Sequence, residues 1–278
     1  MGISSINPIV IPTEAGTFDG LAAGPEEGTP VLLLHGFPQF SVQWEHQLAA
    51  LAAAGYRAVA PDQRGYSRGV RPAEVTAYAA PHLIGDVLRI AGALGWDGFH
   101  VVGHDWGAAV AWLTAITVPD RVRSVTAVSI PHPGAFGRAI REDPEQQRKS
   151  AYMDLFRQPS PIPEQAVLAE FNRFGMPEKR VKEYRDRFAT EPGLLTAALN
   201  WYRAMGTGGD RPGQCEVPAL FIASDADVAV AMSGVHDTVN WVSGPYRLEI
   251  LEGVGHFVPE EAAEETSRLL LEHLAVYR

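Results

Sequence analysis

The strongest constraint on this chain is an alternation. Short runs of Val, Leu and Ile are separated by stretches of helical period, the pattern of parallel strands joined by crossover helices. Weak strand signals near Ile9–Ile11 and Thr17–Leu21 precede Val31–Leu34, an unbroken apolar run that ends at His35 and Gly36 and reads as a buried central strand. A helical pattern from Gln43 to Ala54 leads to the strand Arg57–Ala60, and a turn-rich loop follows through Gly65 and Gly69. Leu83, Ile84, Val87, Leu88, Ala91 and Leu94 share one helical face, which should lie on the sheet. The strand Phe99–Val102 runs into Gly103, Ala108–Thr117 is helical, and Val122–Ile130 is the next strand. From about Pro133 to about Pro212 the strand signal stops and charge becomes denser at helical spacing, as expected of an inserted helical segment. Val217–Ala223 and Tyr246–Leu251 restore the strand pattern, and a last helix places Ala263, Leu270, Leu271 and Leu274 on one face. The expected architecture is α/β: a mostly parallel sheet with helices on both faces. A core of residues 1–133 and 213–278 is interrupted by a helical cap at 134–212.

Bulk properties narrow the function. A net charge of -10 argues against nucleic-acid binding, which needs surplus Lys and Arg at phosphates. The single cysteine, Cys215, excludes an internal disulfide and a multi-cysteine metal cluster, and is read as a buried structural thiol. No stretch is long and apolar enough to span a bilayer, and Met1–Val10 lacks the pattern of a secretory signal, so a cytoplasmic location is expected. Met1-Gly2 suggests myristoylation, but Ile6 stands where that signal wants Ser or Thr.

The segment Gly103-His104-Asp105-Trp106-Gly107 sits between an apolar strand and a small-residue helix, the context of a nucleophile elbow. Its centre is Asp105 rather than Ser. Such a turn forces the central residue into a strained conformation that lifts its side chain above the sheet, and flanking glycines relieve the crowding. The competing reading is an Asp that merely caps a helix. A carboxylate is already ionised at neutral pH and needs no base in order to attack, which suits displacement at saturated carbon. The resulting alkyl ester must then be cleaved by water, and that step needs a base and an oxyanion hole.

His256, in Gly253-Val254-Gly255-His256-Phe257, lies beyond the last strand and ahead of the final helix, where the third member of a nucleophile–acid–histidine series belongs. His35, His104 and His132 are read as structural or peripheral. The orienting acid should follow the strand Val217–Ala223, where Ser224-Asp225-Ala226-Asp227 offers two carboxylates. Asp227 is preferred over Asp225, because the fourth residue of a turn beginning at Ser224 aims toward the histidine. The other position for such an acid, after Val128-Ser129-Ile130-Pro131, carries no carboxylate. Backbone N–H groups of Phe37 and Trp106 are the expected oxyanion donors.

Taken together, His35-Gly36-Phe37-Pro38, Asp62-Gln63-Arg64-Gly65-Tyr66-Ser67 and Gly103–Gly107 resemble the epoxide hydrolase and haloalkane dehalogenase group of the α/β-hydrolase superfamily, over essentially the whole chain. The resemblance implies the α/β-hydrolase fold, an Asp105–His256–Asp227 triad, and no cofactor or metal. Its partners would be a small-molecule epoxide and water; a homo-oligomer is left open. It also implies two cap tyrosines acting as acids on the epoxide oxygen, matched here by Tyr152 in Tyr152-Met153-Asp154-Leu155-Phe156 and Tyr202 in Asn200-Trp201-Tyr202-Arg203, with Tyr184 a substitute. The alternative is a haloalkane or haloacetate dehalogenase using the same Asp105; haloalkane dehalogenases usually carry Asn where this chain has Phe37, which weighs against it, although the Trp106 indole is a candidate halide donor. An esterase-like or non-catalytic member of the fold is the remaining alternative.

Overall fold

A computed structural model describes residues 5–206 and 212–278; Met1 and Gly2, and residues 207–211 of the expected cap, lie outside the described residues. Eight strands form one sheet: β1 Asn7–Thr13, β2 Gly16–Ala23, β3 Thr29–Leu34, β4 Tyr56–Pro61, β5 Phe99–His104, β6 Val122–Val128, β7 Ala219–Ser224 and β8 Tyr246–Leu251. Their order is β1-β2-β4-β3-β5-β6-β7-β8. The β1/β2 hairpin and the β2/β4 pair are antiparallel, and every pair from β4 to β8 is parallel.

The unbroken apolar runs have a physical reason. Side chains alternate across a strand, and both faces of this sheet are covered. Leu32 and Leu34 of β3 point into one cluster with Leu83, Val87 and Ala111. Val31 and Leu33 point into the other with Leu48, Leu51, Leu270 and Leu274. The helices Ala80–Ala93 and Trp106–Thr117 thus cover one face, and Glu45–Ala53 and Ala263–Val276 the other.

Two expected helix faces are rotated in the structure. The buried set of Ala80–Ala93 includes Asp86 and Ile90, because Arg64 pairs with Asp86 through two short bonds of 2.6 and 2.7 Å; a paired charge is buried where an unpaired one would not be. In Ala263–Val276 the buried face is Thr266, Leu269, Leu270, His273 and Leu274, with Ala263 and Leu271 toward its margin. The strand expected to reach Ile130 ends at Val128, since Ser129 adopts a left-handed φ of 69° and turns the chain away.

Between β6 and β7 the described residues form helices and no strand. The first, Pro133–Glu142, packs on the helix Met232–Asp237 that follows β7, with Gly234 meeting Ala139. Helices Tyr152–Phe156, Ile162–Glu170, Glu178–Thr190 and Leu194–Arg203 follow. Their aromatic residues Phe156, Tyr184, Phe188, Trp201 and Tyr202, with Phe171 just after the helix Ile162–Glu170, join the core cluster that contains Leu32 and Leu34. No described helix is long and apolar enough to cross a membrane.

The strand order reverses at β3, with β4 on one side and β5 on the other. In an open α/β sheet such a switch point leaves a crevice at the carboxyl ends of the strands. Both the Phe37 loop, after β3, and Asp105, after β5, open into it.

Candidate active site

Asp105 is the residue at which β5 becomes the helix Trp106–Thr117, and it has φ 52° and ψ -121°, a conformation costly for a residue with a Cβ. Close approach makes the turn. A Cβ on Gly103 would lie 2.1 Å from the Gly107 carbonyl oxygen, and one on Gly107 the same distance from that of Leu34. One on Gly36 would fall 2.4 Å from Asp105 Cβ. The glycines therefore let the elbow and the β3 loop touch, and in that contact the Phe37 N–H donates to Asp105 Oδ1 at 2.8 Å. Trp106 opens the helix, so its N–H belongs to the first turn, whose donors have no partner within the helix and favour a negative charge.

The other Asp105 oxygen, Oδ2, is 3.4 Å from His256 Nε2. On the far side of the ring, His256 Nδ1 is 2.8 Å from Asp227 Oδ2. Asp227 Oδ1 accepts from the N–H groups of Ala229 at 2.7 Å and Val230 at 3.1 Å, which fixes the carboxylate in its own turn. The structure brings Asp105, His256 and Asp227 into one buried line. Asp225 is placed elsewhere: it accepts from Gly253 N–H at 2.7 Å, at the surface.

Charge follows from this geometry. Burial opposes an imidazolium on His256, yet the two carboxylates outweigh it and push the pKa up to about 10. Burial likewise opposes ionisation of Asp105 and Asp227, but both lie below the ordinary carboxylate value. His256 is the main cause for each, with the Phe37 amide assisting Asp105 and the Ala229 amide assisting Asp227. The resting site is an anion–cation–anion row. His104, buried beside His256 with ring centroids 5.1 Å apart, is driven the other way, to about 4, by burial and by the neighbouring imidazolium.

Tyr152 and Tyr202 come together above this row. Their ring centroids are 6.2 Å apart. Tyr202 stands edge-on to Phe37 at 5.5 Å and to Trp106 at 5.1 Å. Burial raises the pKa of both phenols; Asp105 and Asp227 add to the rise at Tyr152, and Tyr152 and Asp105 add to it at Tyr202. Both carry their protons at neutral pH. Tyr184 is not beside them: its hydroxyl donates to Glu260 at 3.3 Å.

Sequence reasoning passed over the groups that aim this machinery. His104 Nε2, at 2.9 Å, and Ser129 Oγ, at 2.8 Å, both meet the His256 carbonyl oxygen. Glu261 accepts from the N–H groups of Gly255 at 3.0 Å and Phe257 at 2.9 Å, the two amides that flank His256. Lys149 donates to the carbonyls of Asp227 at 2.6 Å and Val230 at 2.8 Å. Only the His104–Asp105 adjacency was visible in the sequence; the His104, Ser129 and Lys149 pairings cross long separations, and the local Glu261 bonds form only through the fold of the turn around His256. His35 is buried beneath the site, where its Nε2 accepts from Gln63 N–H at 3.0 Å, and burial keeps it neutral. His132 stacks on Trp241. Among the described residues no cluster of His, Cys, Asp and Glu could hold a metal ion.

Comparison with known proteins identifies the family. The family model for the alpha/beta hydrolase fold matches residues 29–263. The chain is 33% identical to the AB hydrolase superfamily protein YfhM of Bacillus subtilis, over 94% of this chain and 96% of that protein. It is 32% identical to Epoxide hydrolase A of Mycobacterium tuberculosis, over 90% and 91% of the two. A solved structure of an epoxide hydrolase from hot-environment metagenomes superposes with a TM-score of 0.85 at 27% identity, covering 97% of this chain and 99% of that one. With an acidic elbow after β5, a histidine beyond β8 and matches of this extent, the chain belongs to the α/β-hydrolase fold family, in the branch that contains the epoxide hydrolases.

Proposed function

We propose that this protein hydrolyses epoxides to vicinal diols through an ester on Asp105. The observation that carries the reading is the Asp105 carboxylate, with one oxygen held by the Phe37 N–H, the other facing His256, and two protonated phenols near enough to feel its charge. The residues between β6 and β7 act in this reading as a cap, 134–212, on a core of 1–133 and 213–278.

Phe37 holds Oδ1, so Oδ2 is the attacking oxygen. It bonds to an epoxide carbon as that carbon's C–O bond breaks, and the freed oxygen takes a proton from Tyr202 or Tyr152. A phenol is a sufficient acid here because the leaving oxygen is a strong base held against it. The product is a hydroxyalkyl ester on a now neutral Asp105.

That neutralisation sets up the second step. In the resting site two carboxylates hold the proton on His256; the ester leaves only Asp227, so the imidazole pKa falls, the ring's proton passes to the phenolate left by the first step, and the neutral ring becomes competent as a base. Asp227 keeps its hold on Nδ1, leaving Nε2 to take a proton from water. The hydroxide equivalent attacks the ester carbonyl carbon, and the Phe37 and Trp106 N–H groups receive the negative charge on the former Oδ1. Collapse releases the diol and restores the carboxylate, with one water consumed.

The test is a panel of styrene oxide and short aliphatic epoxides, assayed for diol with the wild type and with Asp105→Asn. Diol formation that disappears in the variant supports the reading. A wild type that yields no diol from any epoxide but releases halide from haloalkanes replaces it with the dehalogenase reading.

A further inference from the structure

Glu260 lies four residues beyond His256, in the short helix Val258–Glu261, with its side chain 7% exposed. It meets two parts of the molecule that face each other across the seam between core and cap. From the core, Gln39 Nε2 donates to its Oε2. From the helix Glu178–Thr190, the Tyr184 hydroxyl donates to its Oε1 at 3.3 Å and Arg180 Nε lies 3.8 Å away. Arg180 continues the seam to Glu45 of the core helix Glu45–Ala53 at 2.6 Å.

Gln39 is the critical link. It ends a tight turn in which its N–H donates to the Gly36 carbonyl at 3.1 Å, and Phe37, inside that turn, gives its N–H to Asp105. The Gln39 side chain is fully buried, so water cannot replace a lost partner cheaply. We propose that Glu260 is a positioning residue which ties the turn carrying the Phe37 N–H to the cap helix Glu178–Thr190, and so holds that donor against Asp105. The consequence for turnover rests on the epoxide hydrolase reading; the structural tie does not.

The carboxyl also makes the tie sensitive to pH. Burial pushes Glu260 up to about 7, against the pull of Gln39, Arg180 and Tyr184, while Glu45 adds to the rise. The charged and titratable groups around it are Glu45 on its core helix, Lys179, Arg180, Glu183 and Tyr184 on the cap helix, and Glu261, whose carboxylate is turned to the Gly255 and Phe257 amides. A carboxyl whose pKa is higher when buried than in water holds its proton best when the seam is closed. Opening that exposes it therefore grows easier as pH rises from 4.5 to about 7, by up to about two orders of magnitude, and levels off above.

The experiment is amide hydrogen exchange on the full chain, corrected for the intrinsic pH dependence, for the wild type, Glu260→Gln and Glu260→Ala between about pH 5 and 8. In the wild type, segments 34–44 and 178–190 should open more readily with rising pH until about 7. Glu260→Gln, whose amide oxygen still accepts from Gln39 while its NH2 faces the Tyr184 hydroxyl, which can accept, carries no charge and should give a flat profile; Glu260→Ala should be open throughout. With styrene oxide, Glu260→Ala should lower kcat about tenfold, with KM falling in parallel as ester accumulates on Asp105, and Glu260→Gln should recover to within about threefold. Identical exchange in the wild type and Glu260→Ala, a flat wild-type profile, or a fall in kcat without accumulated ester overturns the proposal. A wild type that makes no diol defeats the epoxide reading instead, and the exchange profiles still decide the tie.

Discussion

Removing the charge of Asp227 should stall the enzyme after its first chemical step. The His256 pKa is carried from 6.5 to about 10 against burial, by Asp227 and Asp105 acting together. At ~1.4 kcal/mol per tenfold, that rise is worth about 5 kcal/mol of preference for imidazolium. Once Asp105 is esterified, Asp227, 2.8 Å from Nδ1, is the one carboxylate still bonded to the ring. A charge-assisted hydrogen bond of this kind is worth about 1.5 to 3 kcal/mol, up to about a hundredfold in the rate of the step that protonates His256. Asp227→Asn also allows Nδ1 to be the acceptor, the wrong tautomer for taking a proton at Nε2, which adds to the loss. Ester formation in the proposed mechanism uses neither effect, because there Asp105 attacks without a base. Rapid-quench mass spectrometry of Asp227→Asn with styrene oxide should show the Asp105 ester forming within about tenfold of the wild-type rate and hydrolysing at least about a hundredfold more slowly. An ester that hydrolyses within about threefold of the wild-type rate refutes the role given to Asp227.

Other expectations follow from the same geometry. Tyr202→Phe and Tyr152→Phe should each slow ester formation by about tenfold to a hundredfold, and the double variant should form no ester in a single-turnover assay. Gly36→Ala would put a Cβ 2.4 Å from Asp105 Cβ, so it should lower stability by about 1 to 3 kcal/mol in denaturant titration and lower activity further, since the displaced atoms belong to the site. The buried charge row should also shape stability. Asp105 and Asp227 have folded pKa values below 3.8, so their contribution is present above that pH and is lost as pH falls through the lowered values. His256 is raised, so its contribution is full below 6.5 and is lost as pH rises to about 10. The stability difference between the wild type and His256→Gln should accordingly be largest between about pH 4 and 6.5 and shrink toward pH 10; a difference that grows with alkalinity contradicts the assignment.

The elbow and the strands around it were legible because their physics is local. A strand buried on both faces must be apolar or hydrogen-bonded throughout, which marks Val31–Leu34 and, with His100 satisfied by Ser124 at 2.7 Å, Phe99–Val102, and a turn as tight as that at Asp105 needs Gly103 and Gly107. His256 and Asp227 could be placed because each follows a recognisable strand. The helix faces were misjudged by part of a turn where a polar residue is buried by a distant partner: Asp86 looks solvent-facing until Arg64, 22 residues away, reaches it. The seam was illegible for the same reason. Gln39 and Glu260 are 221 residues apart, and nothing near either of them in the chain announces the other. The two tyrosines fall between these cases: any tyrosine in a helical segment is ambiguous, and only the resemblance singled out Tyr152 and Tyr202 over Tyr184.

The central claim is that an oxygen of Asp105, rather than of water, is delivered to the substrate. A single turnover with enzyme in excess over styrene oxide, run in isotopically labelled water, tests it most directly. The account predicts unlabelled diol, with the label found in the peptide that carries Asp105. Labelled diol released from an enzyme whose Asp105 peptide remains unlabelled would mean that water attacks the epoxide itself, and would contradict it.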